Sequence, residues 1–259
     1  MLNRLDESDR PLPIFIHGFG GNALHWDEVR AVLGPGMDGM AVELPGHGEQ
    51  RAANPPFTVE RAARDVAALL PARGTVLIGH SMGSRVAINI AAMVPEQIKA
   101  LVLVDGSNQP LDGRDVERTL ATDLATMGHE RVIRGIVESF LIDGIAPSRR
   151  EDLITTAMRM PLEALTGYWS DMAAWDRLHF TNLLPRVSCP VMVLQSTRIF
   201  GDPFAKRERI ADEPSSRWLE WLRLLERVEV HIVRGCGHYT MIERPECVAV
   251  VLQRIDRRI

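Results

Sequence analysis

Short apolar runs alternate with amphipathic stretches along much of the chain. Six of these runs have the length of strands and are rich in valine, isoleucine and leucine: residues 12–16, 40–44, 75–78, 100–104, 191–194 and 228–233. Most of them do not alternate strictly between apolar and polar positions, which is typical of strands that are buried on both faces. Together with the intervening helical patterns, they predict an α/β fold with a mainly parallel sheet.

Two of the intervening stretches carry clear helical signals. Within residues 58–70, apolar positions recur at helical spacing, and Thr58 is placed to cap the start of the helix. Within residues 85–94, the small side chains of Ala87, Ala91 and Ala92 would allow a helix to pack closely on the sheet. Both helices would therefore flank the sheet.

The alternation of strands and helices stops between about residues 107 and 186. This segment is helical in pattern and poor in strands, and it is far longer than the few residues and one helix that normally join two strands. We predict a helical cap of residues 107–186, inserted over the carboxyl edge of a core that consists of residues 1–106 and 187–259. Four apolar cap side chains are candidates for lining a substrate pocket, although each one alone is better explained by the cap's own interior: Phe140, Trp169, Met172 and Trp175.

The composition is that of an ordinary globular protein, with 46% hydrophobic and 25% charged residues among 259. A formal net charge of −4 gives no electrostatic argument for a nucleic acid or an anionic membrane as partner. No uncharged apolar run approaches the roughly 18 residues that a membrane span needs, and residues 1–11 lack the apolar core of a secretory signal. We therefore expect a cytoplasmic monomer or homodimer that acts on a small-molecule substrate.

The cysteines and the most highly charged segment add no further chemistry. Cys189, Cys236 and Cys247 are odd in number and lack the spacing of metal ligands, so we interpret them as reduced thiols. The sequence predicts neither a metal nor another cofactor. We interpret the charged residues between 206 and 225 as a solvated loop and helix, with a dimer contact as the alternative.

The clearest chemical motif lies between the third predicted strand and the helix that follows it, and reads Gly79-His80-Ser81-Met82-Gly83. A serine at the apex of a tight strand-to-helix turn has a strained backbone, and glycines two residues to either side avoid the steric conflict. The turn lifts the hydroxyl above the sheet edge, at the positive end of the helix. The motif therefore predicts that Ser81 is a nucleophile.

A second glycine-rich turn follows the first predicted strand and reads His17-Gly18-Phe19-Gly20-Gly21. Such a turn can aim a backbone N–H at the space above Ser81, so we predict an oxyanion hole formed by the N–H groups of Phe19 and Met82. Each such donor typically contributes ~3 kcal/mol to stabilising the tetrahedral intermediate. A dinucleotide-binding loop is the rival interpretation, but no G-x-G-x-x-G leads from this turn into a helix.

The candidates for the base and the acid follow the later predicted strands. His238 follows the last predicted strand in a glycine-flanked turn, where it could reach Ser81, and the chain order serine, acid, histidine is that of a known serine-hydrolase arrangement. Two aspartates are candidates for the acid. Asp105 directly follows residues 100–104, whereas Asp202 lies eight residues beyond the strand that ends at 194. We favour Asp105, because it is attached to its strand without an intervening loop, and keep Asp202 as the alternative.

With these motifs, the chain resembles the α/β-hydrolase superfamily over nearly its whole length. The motifs that carry the resemblance are His17-Gly18-Phe19-Gly20, Pro45-Gly46-His47-Gly48, Gly79-His80-Ser81-Met82-Gly83 and Gly237-His238. The resemblance implies Ser81 as nucleophile, His238 as base, the Phe19 and Met82 amides as oxyanion hole, and residues 107–186 as the variable cap.

Two departures from the superfamily pattern shape the prediction. Members usually begin with an antiparallel hairpin, for which the residues before position 12 leave no room, so we expect about six strands, all parallel. Members also usually place the acid about four residues beyond the penultimate strand, where this chain reads Gln195-Ser196-Thr197-Arg198-Ile199. Some branches of the superfamily place it after the preceding strand, and this favours Asp105.

The favoured function is a serine hydrolase, a carboxylesterase or lactonase, that acts on a small and largely apolar ester through an acyl-enzyme. The resemblance leaves two alternatives. Cofactor-free dioxygenases that cleave 3-hydroxy-4-quinolone rings place their acid similarly, but they commonly carry a histidine after the serine, where this chain has Met82. A ligand-sensing receptor of the same fold could retain the triad with little turnover.

Overall fold

The computed structural model describes residues 10–142, 145–198, 207–209 and 216–256. In these ranges the strands are β1 (Leu12–Ile16), β2 (Met40–Val42), β3 (Thr75–His80), β4 (Ile98–Val104), β5 (Val191–Gln195), β6 (Thr197–Arg198), β7 (Glu208–Arg209) and β8 (Val228–Ile232). Six of them form one sheet in the order β2-β1-β3-β4-β5-β8, and all neighbouring pairs in it are parallel. The prediction of a mainly parallel sheet of about six strands is confirmed.

The burial of the strands follows their place in the sheet. Every residue of β3, in the middle, is buried, whereas every residue of the edge strand β8 is half-buried. A central strand is covered on both faces by helices, which explains why its sequence is almost continuously apolar. The short antiparallel pair β6–β7 was not predicted, because strands of two residues are too short to show a period.

Helices fill the intervals between the strands. In the described ranges they are α1 (Asp27–Leu33), α2 (Val59–Ala67), α3 (Met82–Met93), α4 (Gly113–Met127), α5 (His129–Phe140), α6 (Pro147–Met158), α7 (Leu162–Leu178), α8 (Phe180–Leu183), α9 (Arg217–Leu222), α10 (Thr240–Glu243) and α11 (Pro245–Asp256). The predicted N-cap of α2 is confirmed, because the Thr58 hydroxyl accepts a hydrogen bond of 3.1 Å from the Arg61 N–H. Helix α3 begins three residues earlier than predicted, directly after Ser81. None of the described helices has both the length and the apolar surface that crossing a lipid bilayer requires.

Backbone hydrogen bonds align the carboxyl ends of the central strands. The Ser81 N–H donates to the Val104 carbonyl oxygen at 2.9 Å, and the Asp105 N–H donates to the Leu194 carbonyl oxygen at 2.8 Å. One strand further, the Val233 N–H donates to the Gln195 carbonyl oxygen at 2.9 Å. The residues that follow β3, β4, β5 and β8 therefore meet at one edge of the sheet, which is where parallel α/β proteins place their sites.

The long interval between β4 and β5 holds the helices α4 to α8, so the inserted segment is helical as predicted. Its division from the core at residues 107 and 186 stays a prediction. Helix α7 is tied to the sheet-flanking helices at two points. Asp171 accepts a hydrogen bond of 2.8 Å from the Val59 N–H at the start of α2, and Asp176 forms an ion pair with Arg85 of α3.

The Arg85–Asp176 pair is buried and doubly hydrogen-bonded. Arg85 Nε lies 2.8 Å from Asp176 Oδ1, and Arg85 Nη2 lies 2.6 Å from Asp176 Oδ2. The Gln109 N–H also donates to Asp176 Oδ2 at 2.6 Å. Burial raises the pKa of Asp176, while the guanidinium opposes that rise. Because charges out of contact with water must be paired, this contact couples α7 to the core.

Removal of one partner of this pair should be costly. Arg85→Met is expected to lower the free energy of unfolding by about 3–5 kcal/mol, because the Asp176 carboxylate would then be buried without its cation. Denaturant titration measures the change. The matched control is Arg134→Met, which breaks the exposed pair with Glu151 and should cost less than about 1 kcal/mol. Equal losses in the two variants would contradict this assignment.

Candidate active site

Ser81 occupies the strained turn that its motif predicts. Its backbone has φ 52° and ψ −114°, a combination that is unfavourable for any residue with a Cβ. The neighbouring glycines are required by close packing: a Cβ on Gly79 would lie 2.3 Å from the Gly83 carbonyl oxygen, and a Cβ on Gly83 would lie 2.4 Å from the Ile16 carbonyl oxygen. The turn is stabilised by a bond of 2.8 Å from the Ser84 hydroxyl to the Gly79 carbonyl oxygen.

The turn after β1 packs directly against Ser81. A Cβ on Gly18 would lie 2.7 Å from His80 Nδ1 and 3.0 Å from Ser81 Cβ, so only glycine fits there. Within the described ranges, no hydrogen-bond acceptor contacts the Phe19 N–H. Met82 is the first residue of α3, where a backbone N–H has no partner inside the helix. The turn that contains Phe19 therefore packs against Ser81, and Met82 directly follows Ser81.

Two neutral histidines hold this turn in place. His17 accepts a bond of 3.1 Å from the Leu44 N–H at Nε2 and donates from Nδ1 to the Gly18 carbonyl oxygen at 2.8 Å. His47 accepts a bond of 3.2 Å from the Gly20 N–H in the same way. Burial lowers the pKa of His17 to about 4 and lowers that of His47 well below its usual value. Only the neutral ring has a lone pair to accept these bonds. The hydrogen bonds and the lowered pKa values therefore both indicate that the two rings are neutral.

The structure brings His238 and Asp105 together, although 133 positions separate them in the sequence. His238 Nδ1 lies 2.7 Å from Asp105 Oδ2, and both side chains are buried. Since Nδ1 donates its proton to the carboxylate, Nε2 carries the lone pair. His80, next to Ser81, donates from Nε2 to the His238 carbonyl oxygen at 2.9 Å and so connects the two turns. The alternative acid, Asp202, lies outside the described residues.

The Asp105 carboxylate is held by an unusually complete set of donors. Its Oδ1 accepts from the Ser196 N–H at 2.9 Å, from the Thr197 N–H at 2.8 Å and from Gln195 Nε2 at 3.1 Å, and the Thr197 hydroxyl donates to Oδ2. Residues 195–199 contain no acid at the position usual for the superfamily. Three of them instead supply the donors that hold Asp105, which follows the preceding strand. Asp105 itself has a positive φ of 45°, and these bonds offset that strain.

Arg207 is a residue of this site that the sequence analysis missed. Its Nη1 lies 3.0 Å from Thr197 Oγ1 and 3.4 Å from Asp105 Oδ2, and the residue is only 4% exposed. Because a run of charges is usually exposed, the sequence predicts a solvated segment around this residue. That interpretation is wrong for Arg207. A contact across 102 positions leaves no signal in the local sequence.

The environment keeps His238 neutral. Burial lowers its pKa well below the usual 6.5, and the positive charges of Arg207 and Arg85 lower it further. An unprotonated imidazole with its lone pair on Nε2 is the form that can accept a proton from a hydroxyl.

A cavity lies above Ser81, between the sheet edge and the inserted helices. The cavity is narrow, with a free volume of about 50 Å³. Its apolar wall is formed by Phe19, Phe140, Trp169 and Met172. Arg85, Asp176 and Arg207 also line it. Three of the four predicted pocket residues are therefore at the cavity. The structure places the fourth, Trp175, in the interior instead, with its ring centroid 6.0 Å from that of Phe180.

Comparisons with known proteins agree with this fold. A sequence model of the alpha/beta hydrolase family matches residues 14–250. Lipase LipV of Mycobacterium tuberculosis is 36% identical over an alignment that covers 94% of this chain and 92% of that protein. Esterase Rv0045c of the same organism is 41% identical, but that alignment spans 37% of this chain and only 33%, about a third, of the relative's length.

A solved structure has the same fold. A thermophilic esterase from Thermogutta terrifontis superposes with a TM-score of 0.76 at 23% sequence identity, and the match covers 96% of this chain and 90% of that one. At this level of identity, the likeness shows the fold.

The buried histidines predict how stability depends on pH. The free energy of unfolding is expected to fall as the pH is lowered from 6.5 toward about 4, because unfolded histidines bind protons below their usual pKa of 6.5 while His17 and His47 in the folded protein do not. Each such histidine contributes at most about 1.4 kcal/mol per pH unit. Denaturant titrations across this range measure the slope.

A pair of variants isolates the contribution of one histidine. His17→Gln retains an acceptor for the Leu44 N–H but cannot be protonated, so it should flatten the pH dependence. His179→Gln, at an exposed position, should not. A slope that is the same in the wild type and in His17→Gln would contradict the assignment.

Proposed function

Because this chain belongs to the alpha/beta hydrolase family, we propose that it hydrolyses small esters through a covalent acyl-enzyme formed on Ser81. The protein is an ester-bond hydrolase, like the esterases and the lipase to which it is similar. The observation that carries the proposed mechanism is the bond of 2.7 Å between His238 and Asp105, formed beside the strained turn of Ser81. Serine, aspartate and histidine follow one another here in the chain order of this fold.

In the proposed first step, His238 is the general base. Its Nε2 takes the proton of the Ser81 hydroxyl while the serine oxygen attacks the ester carbonyl carbon. The proton then passes from His238 to the leaving alcohol oxygen as the ester C–O bond breaks, and the acyl group stays on Ser81. A water molecule, activated by His238 in the same way, releases the acid and restores the serine.

Asp105 positions the imidazole and stabilises its protonated form. The bond to Nδ1 selects the tautomer in which Nε2 is the base, and the carboxylate offsets the positive charge that appears on His238 during the reaction. The donors from Ser196 and Thr197 fix the direction of the carboxylate. The preorganised arrangement means that little has to move when the charge develops.

The N–H groups of Phe19 and Met82 would receive the carbonyl oxygen as it becomes an oxyanion. Support for this role comes from the close packing of Gly18 on Ser81 and from the place of Met82 at the start of α3. His17 donates to the Gly18 carbonyl oxygen and His47 accepts from the Gly20 N–H, so both neighbours of Phe19 are held in place and the alignment of its N–H is preserved.

The cavity supports a small acyl group with apolar character. Phe140, Trp169 and Met172 would pack against the acyl chain. A lactone is an ester closed into a ring, so a carboxylesterase and a lactonase would use the same chemistry here. Both fall within the proposed function.

The first test is hydrolysis of a short-chain 4-nitrophenyl ester. Ser81→Ala is expected to lower kcat by at least about 10⁴-fold, because it removes the nucleophile, whereas Ser188→Ala, at an exposed position, should leave kcat unchanged. Cleavage of a 3-hydroxy-4-quinolone ring that survives Ser81→Ala would point to the dioxygenase alternative instead. Tight binding of a small molecule without turnover would point to a receptor.

The second test distinguishes the two aspartates. Asp105→Asn is expected to reduce kcat by about 10³- to 10⁴-fold, since the amide would favour the wrong imidazole tautomer. Asp202→Asn is the matched control and should have little effect. Steady-state kinetics of both variants on the same ester decide the question, and the reverse result would transfer the role of the acid to Asp202.

A further inference from the structure

The acyl-transfer scheme assigns no function to Arg207. Arg207 lines the same cavity as Ser81 and is 4% exposed. Its guanidinium carbon lies 5.5 Å from the centroid of the Phe140 ring, which holds it against the apolar wall. A cation buried at this position needs a reason, because taking it out of water is costly.

The hydrogen bonds of Arg207 are incomplete. Nη1 donates to Thr197 Oγ1 at 3.0 Å, and the one contact of Nη2 with a described residue is the long one of 3.4 Å to the Ser107 hydroxyl. Nε is buried and has no acceptor among the described residues. A guanidinium has five N–H donors in a planar fork, so the side that carries Nε and Nη2 is largely unsatisfied.

Asp105 does not satisfy the unpaired N–H donors of Arg207. Its distance of 3.4 Å from Arg207 Nη1 is longer than its distances to His238, at 2.7 Å, and to the Thr197 N–H, at 2.8 Å. The carboxylate is thus mainly occupied by other donors. The second buried arginine of the cavity is different, because Arg85 makes two short bonds to its own partner, Asp176. Of the two described arginines that line the cavity, Arg207 is therefore the one that can take another anion.

A planar carboxylate matches the free side of a guanidinium. Two parallel N–H···O bonds from Nε and Nη2 would satisfy the buried donors and pair the charge. Burial lowers the pKa of Arg207 to about 10, so the side chain is still a cation at neutral pH. An anion that enters the cavity would thus meet a fixed, desolvated positive charge.

We propose that Arg207 binds a carboxylate of the substrate, so that the preferred esters are half-esters of short dicarboxylic acids. This proposal rests on the proposed function and specifies its substrate class. The apolar wall of Phe140, Trp169 and Met172 would pack on the methylene groups between the ester carbonyl at Ser81 and the free carboxylate at Arg207. Both the apolar lining and the buried cation then have a role in one substrate.

The experiment compares two esters that have the same leaving group and the same acyl chain length. One is mono-4-nitrophenyl glutarate, which ends in a carboxylate, and the other is 4-nitrophenyl pentanoate, which ends in a methyl group. The wild type is expected to favour the glutarate ester about 10- to 100-fold in kcat/KM, as a buried charge-assisted contact implies. A ratio of one or less overturns the proposal.

Variants identify the residue responsible for this preference. Arg207→Met should abolish it, and Arg207→Lys should retain part of it, because a lysine keeps the charge but loses the fork. Arg207 contacts Asp105, so both rates are expected to fall, and the readout is therefore the ratio of the two esters. Arg159→Met, at an exposed position, should leave the ratio unchanged. A preference that survives Arg207→Met overturns the assignment.

A binding measurement separates this proposal from the proposed function. Monomethyl glutarate, which keeps one free carboxylate, should bind to Ser81→Ala in a calorimetric titration more tightly than methyl pentanoate, which has none, and adding Arg207→Met should remove the difference. Ser81-dependent hydrolysis of pentanoate without a preference for glutarate would overturn the role of Arg207 and leave the esterase intact. If neither ester is hydrolysed, the proposed function fails, and the binding of monomethyl glutarate still decides the role of Arg207.

Discussion

The site depends on one hydrogen bond, the contact of 2.7 Å between Asp105 and His238. A carboxylate that is fully buried is stable only when its charge is matched by donors, and the chain supplies them from the residues that directly follow β5. The same bond directs the lone pair of His238 to Nε2. Carboxylate, imidazole and the turn of Ser81 are consequently positioned by the ends of neighbouring strands, which the parallel sheet holds in register.

Two strained residues lie side by side at this edge of the sheet. Ser81 and Asp105 both have a positive φ, at 52° and 45°, and neither is a glycine. Each is held by a backbone bond to the next strand, from Ser81 to Val104 and from Asp105 to Leu194. Strain of this kind persists only where surrounding structure compensates for it, and here the compensation comes from the most buried part of the fold.

The sequence predicted best those features that depend on local geometry. The glycines around Ser81 are recognisable because the turn leaves no space for a Cβ, and the apolar runs are recognisable because central strands are covered on both faces. Features that depend on distant contacts were harder. The sequence favours Asp105 over Asp202 as the acid without excluding Asp202, and it predicts an exposed side chain for Arg207. Its partners are Asp105, which follows β4, Phe140 on α5 and Thr197, which follows β5.

By itself, the sequence determined the α/β alternation, the helical insertion and the turn of Ser81, because periodicity and glycine placement are local properties of the chain. The tertiary structure decided which charges share the cavity. It turned Trp175 inward, joined Arg85 to Asp176 and brought Arg207 beside Asp105. These outcomes follow from how the inserted helices pack on the sheet edge, since burial and pairing of a charge depend on neighbours that no local pattern specifies.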